Sequence, residues 1–117
     1  MIKILTVDDE PEIIEIIQLA LGAKFNIVGV HKAAEGLEKI KHESFDIVLT
    51  DLLMPILDGI EFIKELRKID ANMPVVCVSG VASEYTDKIK GLDVACMIQK
   101  PIDFKRLEEV ILNFVDP

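Results

Sequence analysis

Five times along the chain, a short apolar run gives way to a stretch with helical periodicity. Ile2 to Val7 is apolar with β-branched residues and stops at Asp8 and Asp9, as a buried strand does. EPEIIEIIQLALG follows, with Ile13, Ile16, Ile17, Ala20 and Leu21 at helical spacing. Pro11 suits its first turn, the acids suit its positive end and Gly22 suits its stop. FNIVGVH reads as the second strand, and AAEGLEKIKHE as a helix with Ala33, Leu37 and Ile40 on one face. FDIVLT is the third strand. DGIEFIKELRKID is the next helix, with Asp58 a candidate cap and Phe62, Ile63, Leu66 and Ile69 toward the core. PVVCVS is a fourth strand, a continuous apolar run of the kind buried on both faces. SEYTDKIKG predicts a short helix with a thin stripe, only Tyr85 and Ile89. VACMIQ is the fifth strand, and DFKRLEEVILNFV a last helix capped by Asp103, with Phe104, Leu107, Ile111 and Phe114 inward.

Strands alternating with helices demand long right-handed crossovers, so the sheet must be parallel and covered on both faces. The expectation is one three-layer α/β/α domain over residues 1–117, with five strands and five helices. No repeat, low-complexity segment or linker interrupts it.

Composition narrows the function. The chain has 117 residues, enough for one compact domain, and half of it is hydrophobic. No apolar run approaches the roughly 18–20 residues that cross a bilayer, and MIKILTVDDE places acids where a secretory signal is apolar. The expected location is the cytoplasm. Thirteen basic against 21 acidic side chains give a net charge of −8, which argues against direct nucleic-acid binding. Cys77 and Cys96 lie in apolar runs and read as buried free thiols. His31 and His42 read as surface residues remote from any cluster.

In an open parallel sheet, ligands bind beyond the carboxyl ends of the strands. There the first strand ends at Asp8 and Asp9, the third at Asp51, the fourth at Ser79 and the fifth at Lys100. Any one of these residues alone is an ordinary cap, turn residue or solvated charge. Four strand ends carrying compatible groups have no such explanation. Three carboxylates repel, and an all-oxygen set without His or Cys points to magnesium. A cation, a lysine and a small hydroxyl around a carboxylate also form an electrophilic clamp for a phosphoryl group, with Asp51 as nucleophile.

VDDEPEI, IVLTDLLMPILDG, VVCVSG and IQKPID together resemble the receiver domain of two-component response regulators, of the chemotaxis-regulator-like kind. The resemblance covers essentially the whole chain. It implies a flavodoxin-like strand order 2-1-3-4-5, and Asp51 as phospho-acceptor. Mg2+ would be held by Asp9, by Asp8 through water, by Asp51 and by the backbone carbonyl of Leu53. Ser79 and Lys100 would serve the phosphoryl oxygens, a cis bond would precede Pro101, and Met54, Pro55 and Gly59 would shape the loop. The chain departs from the family at Met97, where a Tyr or Phe usually stands three residues before the lysine. The implied donor is a sensor histidine kinase or phosphotransfer protein. The implied output is a downstream protein or fused domain, with a possible homodimer through the last two strand–helix units, and with neither nucleic acid nor membrane as partner of this domain. Two other readings compete: a phosphorylation-independent interaction module and a magnesium-dependent phosphatase with an aspartyl nucleophile.

Overall fold

The computed structural model describes residues 1–52, 59–80 and 91–115. Among them the chain forms β1 (Lys3–Val7), α1 (Pro11–Leu21), β2 (Asn26–Val30), α2 (Ala33–His42), β3 (Ile47–Thr50), α3 (Gly59–Ile69), β4 (Val75–Ser79), β5 (Cys96–Gln99) and α4 (Phe104–Phe114). The helix expected over SEYTDKIKG and the Asp58 cap fall outside the described residues, except that Gly91 is described as a turn residue with φ 85°.

All five strands are parallel, in the order β2-β1-β3-β4-β5. The three central strands are almost wholly buried, while β2 and β5 at the edges are partly open. This matches their sequences, since VVCVS is apolar throughout whereas NIVGV and CMIQ carry polar or small residues.

The two faces of the sheet make separate cores. On one, Leu5, Val7, Val48, Val75 and Cys77 meet Ile40 of α2 and Phe62, Ile63 and Leu66 of α3. On the other, Ile4, Ile47, Leu49, Val76 and Val78 meet Ile17 and Leu21 of α1 and Leu107 and Ile111 of α4. A side chain at Gly36 would press at 3.0 Å on both Phe62 and Val7, so α2 sits close to β1 only because that position is bare. Asp103 caps α4 as expected, accepting from the N–H groups of Lys105 and Arg106 at 3.1 and 3.2 Å.

Several expected core positions differ. In α1 the buried stripe is Ile14, Ile17 and Leu21, while Ile16 and Ala20 face solvent. With apolar residues nearly all round this helix, periodicity alone does not select the face. Ile69 and Phe114 stand at the last turns of their helices, beyond the sheet they were expected to cover, and are 39% and 48% exposed. Val110 takes an inward place on α4. Arg67, which sequence pattern gives no reason to single out, donates to the carbonyls of Met73 at 2.7 Å, Leu92 at 2.8 Å and Asp93 at 2.9 Å. It thereby ties the turn into β4 to the chain approaching β5, where Asp93 adopts φ 58°.

The cysteines lie on adjacent strands but on opposite faces. Cys77 packs in the α2–α3 core and Cys96 against the α1–α4 core, so no disulfide can join them. Burial, with the charges of Asp51 and Cys96 adding to it, pushes the Cys77 thiol up to about 12. Cys96 is half-buried rather than buried, as befits an edge strand. One thiol per folded chain is therefore expected to react with a disulfide reagent at neutral pH, and two after denaturation. Reaction of both at equal rates in the folded protein contradicts this placement.

Among the described residues, the buried Thr6 hydroxyl on β1 has no hydrogen-bond partner. A valine of similar shape removes that uncompensated group. Thr6→Val is expected to raise stability by about 1 kcal/mol in urea denaturation. A loss of stability would mean that the hydroxyl is satisfied in solution.

Candidate functional site

The strand order reverses between β1 and β3, the switch point at which open α/β sheets leave a crevice. The register pairs Val7 with Thr50, so the next residues, Asp8 and Asp51, emerge side by side. Backbone bonds fix both. Asp8 N–H donates to Val30 O at 3.2 Å, and Asp51 N–H to Val7 O at 3.0 Å. Asp8 and Asp51 are 2% and 5% exposed. Asp9 is half-buried and Glu10 exposed. Each of these four acids offers an oxygen within 4.8 Å of the others.

Ser79 ends β4, almost fully buried, and its carbonyl accepts the Lys100 N–H at 3.1 Å. That bond, with Ser79 paired to Gln99 in the ladder, delivers Lys100 to the same edge. Its ammonium lies 3.1 Å from Asp8, 3.0 Å from Glu10 and 3.2 Å from Asp51. The Lys100–Pro101 peptide bond is cis. Gly59 closes the far side. Its N–H donates to Leu52 O at 3.0 Å, and a Cβ there would collide with the Asp51 carbonyl.

The electrostatics follow from this crowding. Burial is the strongest influence on Asp8 and pushes its carboxyl above the ordinary 3.8. The Glu10 N–H and Lys100 pull the other way, and the charge of Asp51 adds to the rise. Burial also opposes the Lys100 ammonium, but bonds to Glu10 and Asp8 and the charges of Asp8 and Asp51 outweigh it and push its pKa above 10.5. One ammonium does not neutralise four carboxylates, so the edge remains a place for a hard cation, with an oxygen-only donor set that suits magnesium.

The structure thus brings Asp8, Asp9, Asp51, Ser79 and Lys100 to one edge. Leu53, Met54 and Pro55 lie outside the described residues. Met97 sits opposite Cys77 in the ladder, half-buried against the α2–α3 core. His31 and His42 are exposed. His31 directly follows β2 at the same carboxyl edge, one residue after Val30, whose carbonyl accepts the Asp8 N–H, so the expectation that it lies away from the edge does not hold, whereas His42 ends α2. Sequence reading passed over Glu10. The third acid of the run DDE looked like helix-start composition, and only the fold places it across from Lys100.

Fold and edge together define a doubly wound α/β domain with an acidic, lysine-bearing switch point. Residues 4–112 match the family model of the response regulator receiver domain, and the chain belongs to that family. It is 33% identical over 107 residues to the uncharacterized transcriptional regulatory protein YkoG of Bacillus subtilis, covering 89% of this chain and 46% of that protein. It is 34% identical over 110 residues to the CpxR homolog of Haemophilus influenzae, covering 92% and 47%. The chain therefore spans about half the length of the relatives it matches. Among solved structures, a receiver domain protein of Clostridium thermocellum superposes with TM-score 0.91 at 27% identity, over 99% of this chain and 95% of that one. The response regulator TrrA of Thermotoga maritima, solved in complex with Mg(2+)-BeF, does so with TM-score 0.89 at 27% identity, over 98% and 100%.

In the metal-free protein the folded state holds a proton on Asp8 more tightly than the unfolded chain does. The stability from this group therefore falls as pH rises from 3.8 through the raised folded value, and stays low above it. Asp8→Asn keeps an acceptor for the Glu10 N–H, which lies 2.9 Å from Oδ1, and removes the charge. It is expected to raise the urea midpoint at neutral pH in the presence of a chelator, with the advantage shrinking on acidification. A lower midpoint at neutral pH would mean that the ionised carboxylate stabilises the fold.

Proposed function

We propose that the chain accepts a phosphoryl group on Asp51 and that the phosphorylated edge changes its contacts with another protein. The observation that carries this reading is the ammonium of Lys100, 3.2 Å from Asp51 at the switch point, inside a ring of carboxylates fit for a divalent cation. Asp9 and Asp51 would hold magnesium, with Asp8 joining through water and the Leu53 carbonyl as the ligand that the family resemblance implies. The ion supplies positive charge that lets the carboxylates stay ionised and that favours the phosphoryl oxygens.

The chain's own residues do the rest. The Asp51 carboxylate attacks phosphorus while the P–N bond of a donor phosphohistidine breaks, its electron pair leaving with the imidazole nitrogen. Lys100 donates to one phosphoryl oxygen, and the Ser79 hydroxyl turns to donate to another. Hydrolysis reverses the state: water attacks phosphorus, the P–O bond to Asp51 breaks, and inorganic phosphate leaves. The movement of Ser79 leaves space beside Met97, whose flexible side chain repacks where the family carries a ring.

The donor is a sensor histidine kinase or a phosphotransfer protein. Relatives about twice as long, named as transcriptional regulatory proteins, support an output carried outside this acidic domain. Residues 1–117 act as one receiver domain in the cytoplasm. The exposed Leu112 and Phe114 on α4 support protein contact, including a homodimer, through the last strand–helix units.

The test is to incubate the protein with acetyl phosphate and magnesium and weigh it intact. One phosphoryl group is expected per chain, lost in Asp51→Asn and with chelator. No gain in mass supports a phosphorylation-independent module, and turnover of many phosphomonoesters supports a phosphatase. Either result contradicts the proposal.

A further inference from the structure

The Lys100 ammonium has three N–H donors and three carboxylate partners, each at 3.0–3.2 Å. Two of those partners, Asp8 and Asp51, belong to the acidic pair at the strand ends. The third is Glu10, which stands just before Pro11 and α1 with its side chain 56% exposed. Glu10 does not cap the helix through its side chain, and its carboxylate reaches Lys100 across 90 residues of sequence. What its geometry does is complete the coordination of the ammonium from the solvent side.

We infer that Glu10 is a positioning residue for Lys100, a solvent-side latch that holds the ammonium in the unphosphorylated ring and is exchanged when a phosphoryl group arrives. The inference rests on the phosphoryl-acceptor reading of Asp51. A phosphoryl group on Asp51 enters the space between that carboxylate and the Lys100 nitrogen. The ammonium bonds to Glu10 and Asp51 and lies 3.1 Å from Asp8, so a bond to a phosphoryl oxygen competes with the carboxylates that now surround it. The exposed partner is the cheapest to release, because water takes over its hydrogen bonds at once. Glu10 therefore stabilises the empty state more than the occupied one, and so sets how readily the site fills.

A bond of this exposed kind corresponds to about a two- to fivefold change in occupancy. With magnesium present, Glu10→Gln is expected to lower the beryllium fluoride concentration that half-saturates the domain by that factor, followed by NMR amide shifts. Glu10→Asp separates the latch from a general field effect. It keeps the charge but loses the reach, so it should behave like Glu10→Gln. In a Lys100→Ala background the Glu10 substitutions should have no effect, a readout that a merely structural role for Glu10 would not produce. Wild-type affinity in Glu10→Gln, wild-type behaviour of Glu10→Asp, or an undiminished effect without Lys100 would each overturn the latch. Failure of the wild-type chain to take up a phosphoryl group from acetyl phosphate would overturn the acceptor reading, and the latch with it. Phosphorylation of the wild type with unresponsive Glu10 variants would overturn the latch alone.

Discussion

Like charges forced together at one sheet edge are the constraint on which this structure turns. β1 and β3 are buried parallel neighbours, and their register leaves Asp8 and Asp51 adjacent where the strand order reverses. Both are almost removed from water, and such a pair costs free energy unless positive charge attends it. Lys100 is the counter-charge that the chain itself supplies. Its position depends on β5 being the outermost parallel strand beyond β4, and on the bond from its N–H to the Ser79 carbonyl. The fold therefore does more than carry the residues. It sets a tension among them that a cation can relieve.

The surrounding packing keeps that tension from relaxing by movement. β1, β3 and β4, which end at the site, are buried on both faces, between α2–α3 and α1–α4. Close-packed layers have little freedom to shift a strand end by a fraction of an ångström. Gly59 allows α3 to begin against the Asp51 carbonyl, which fixes the acid from behind. Change is left to side chains: an exposed Glu10, a long Lys100, a rotatable Ser79 and a flexible Met97. The proposed switch uses movable groups on an immovable edge.

Much of this was legible in the residues. Alternating apolar runs and helical periods implied the layers, and polar residues ending four strands implied the edge. A strand of VVCVS has only one comfortable environment, so its burial could be read directly. Helix faces were harder. EIIEIIQLAL is apolar in nearly every direction, and only contact with the sheet chooses Ile14 over Ile16. Phe114 is apolar, but it stands past the end of the surface that could bury it. Glu10 and Arg67 were illegible for a further reason. Their partners, Lys100 for one and the Leu92 and Asp93 carbonyls for the other, are distant in sequence and local only in the fold.

The central claim is that Lys100 exchanges carboxylate partners for a phosphoryl group on Asp51. A crystal structure of the protein with magnesium and beryllium fluoride tests it most directly. The account predicts fluoroberyllate on an Asp51 oxygen, the cation against Asp9 and Asp51, and the Lys100 nitrogen within hydrogen-bond distance of a fluorine. Fluoroberyllate on another residue, or Lys100 still bound to Asp8 and Glu10 with no contact to the adduct, would contradict it.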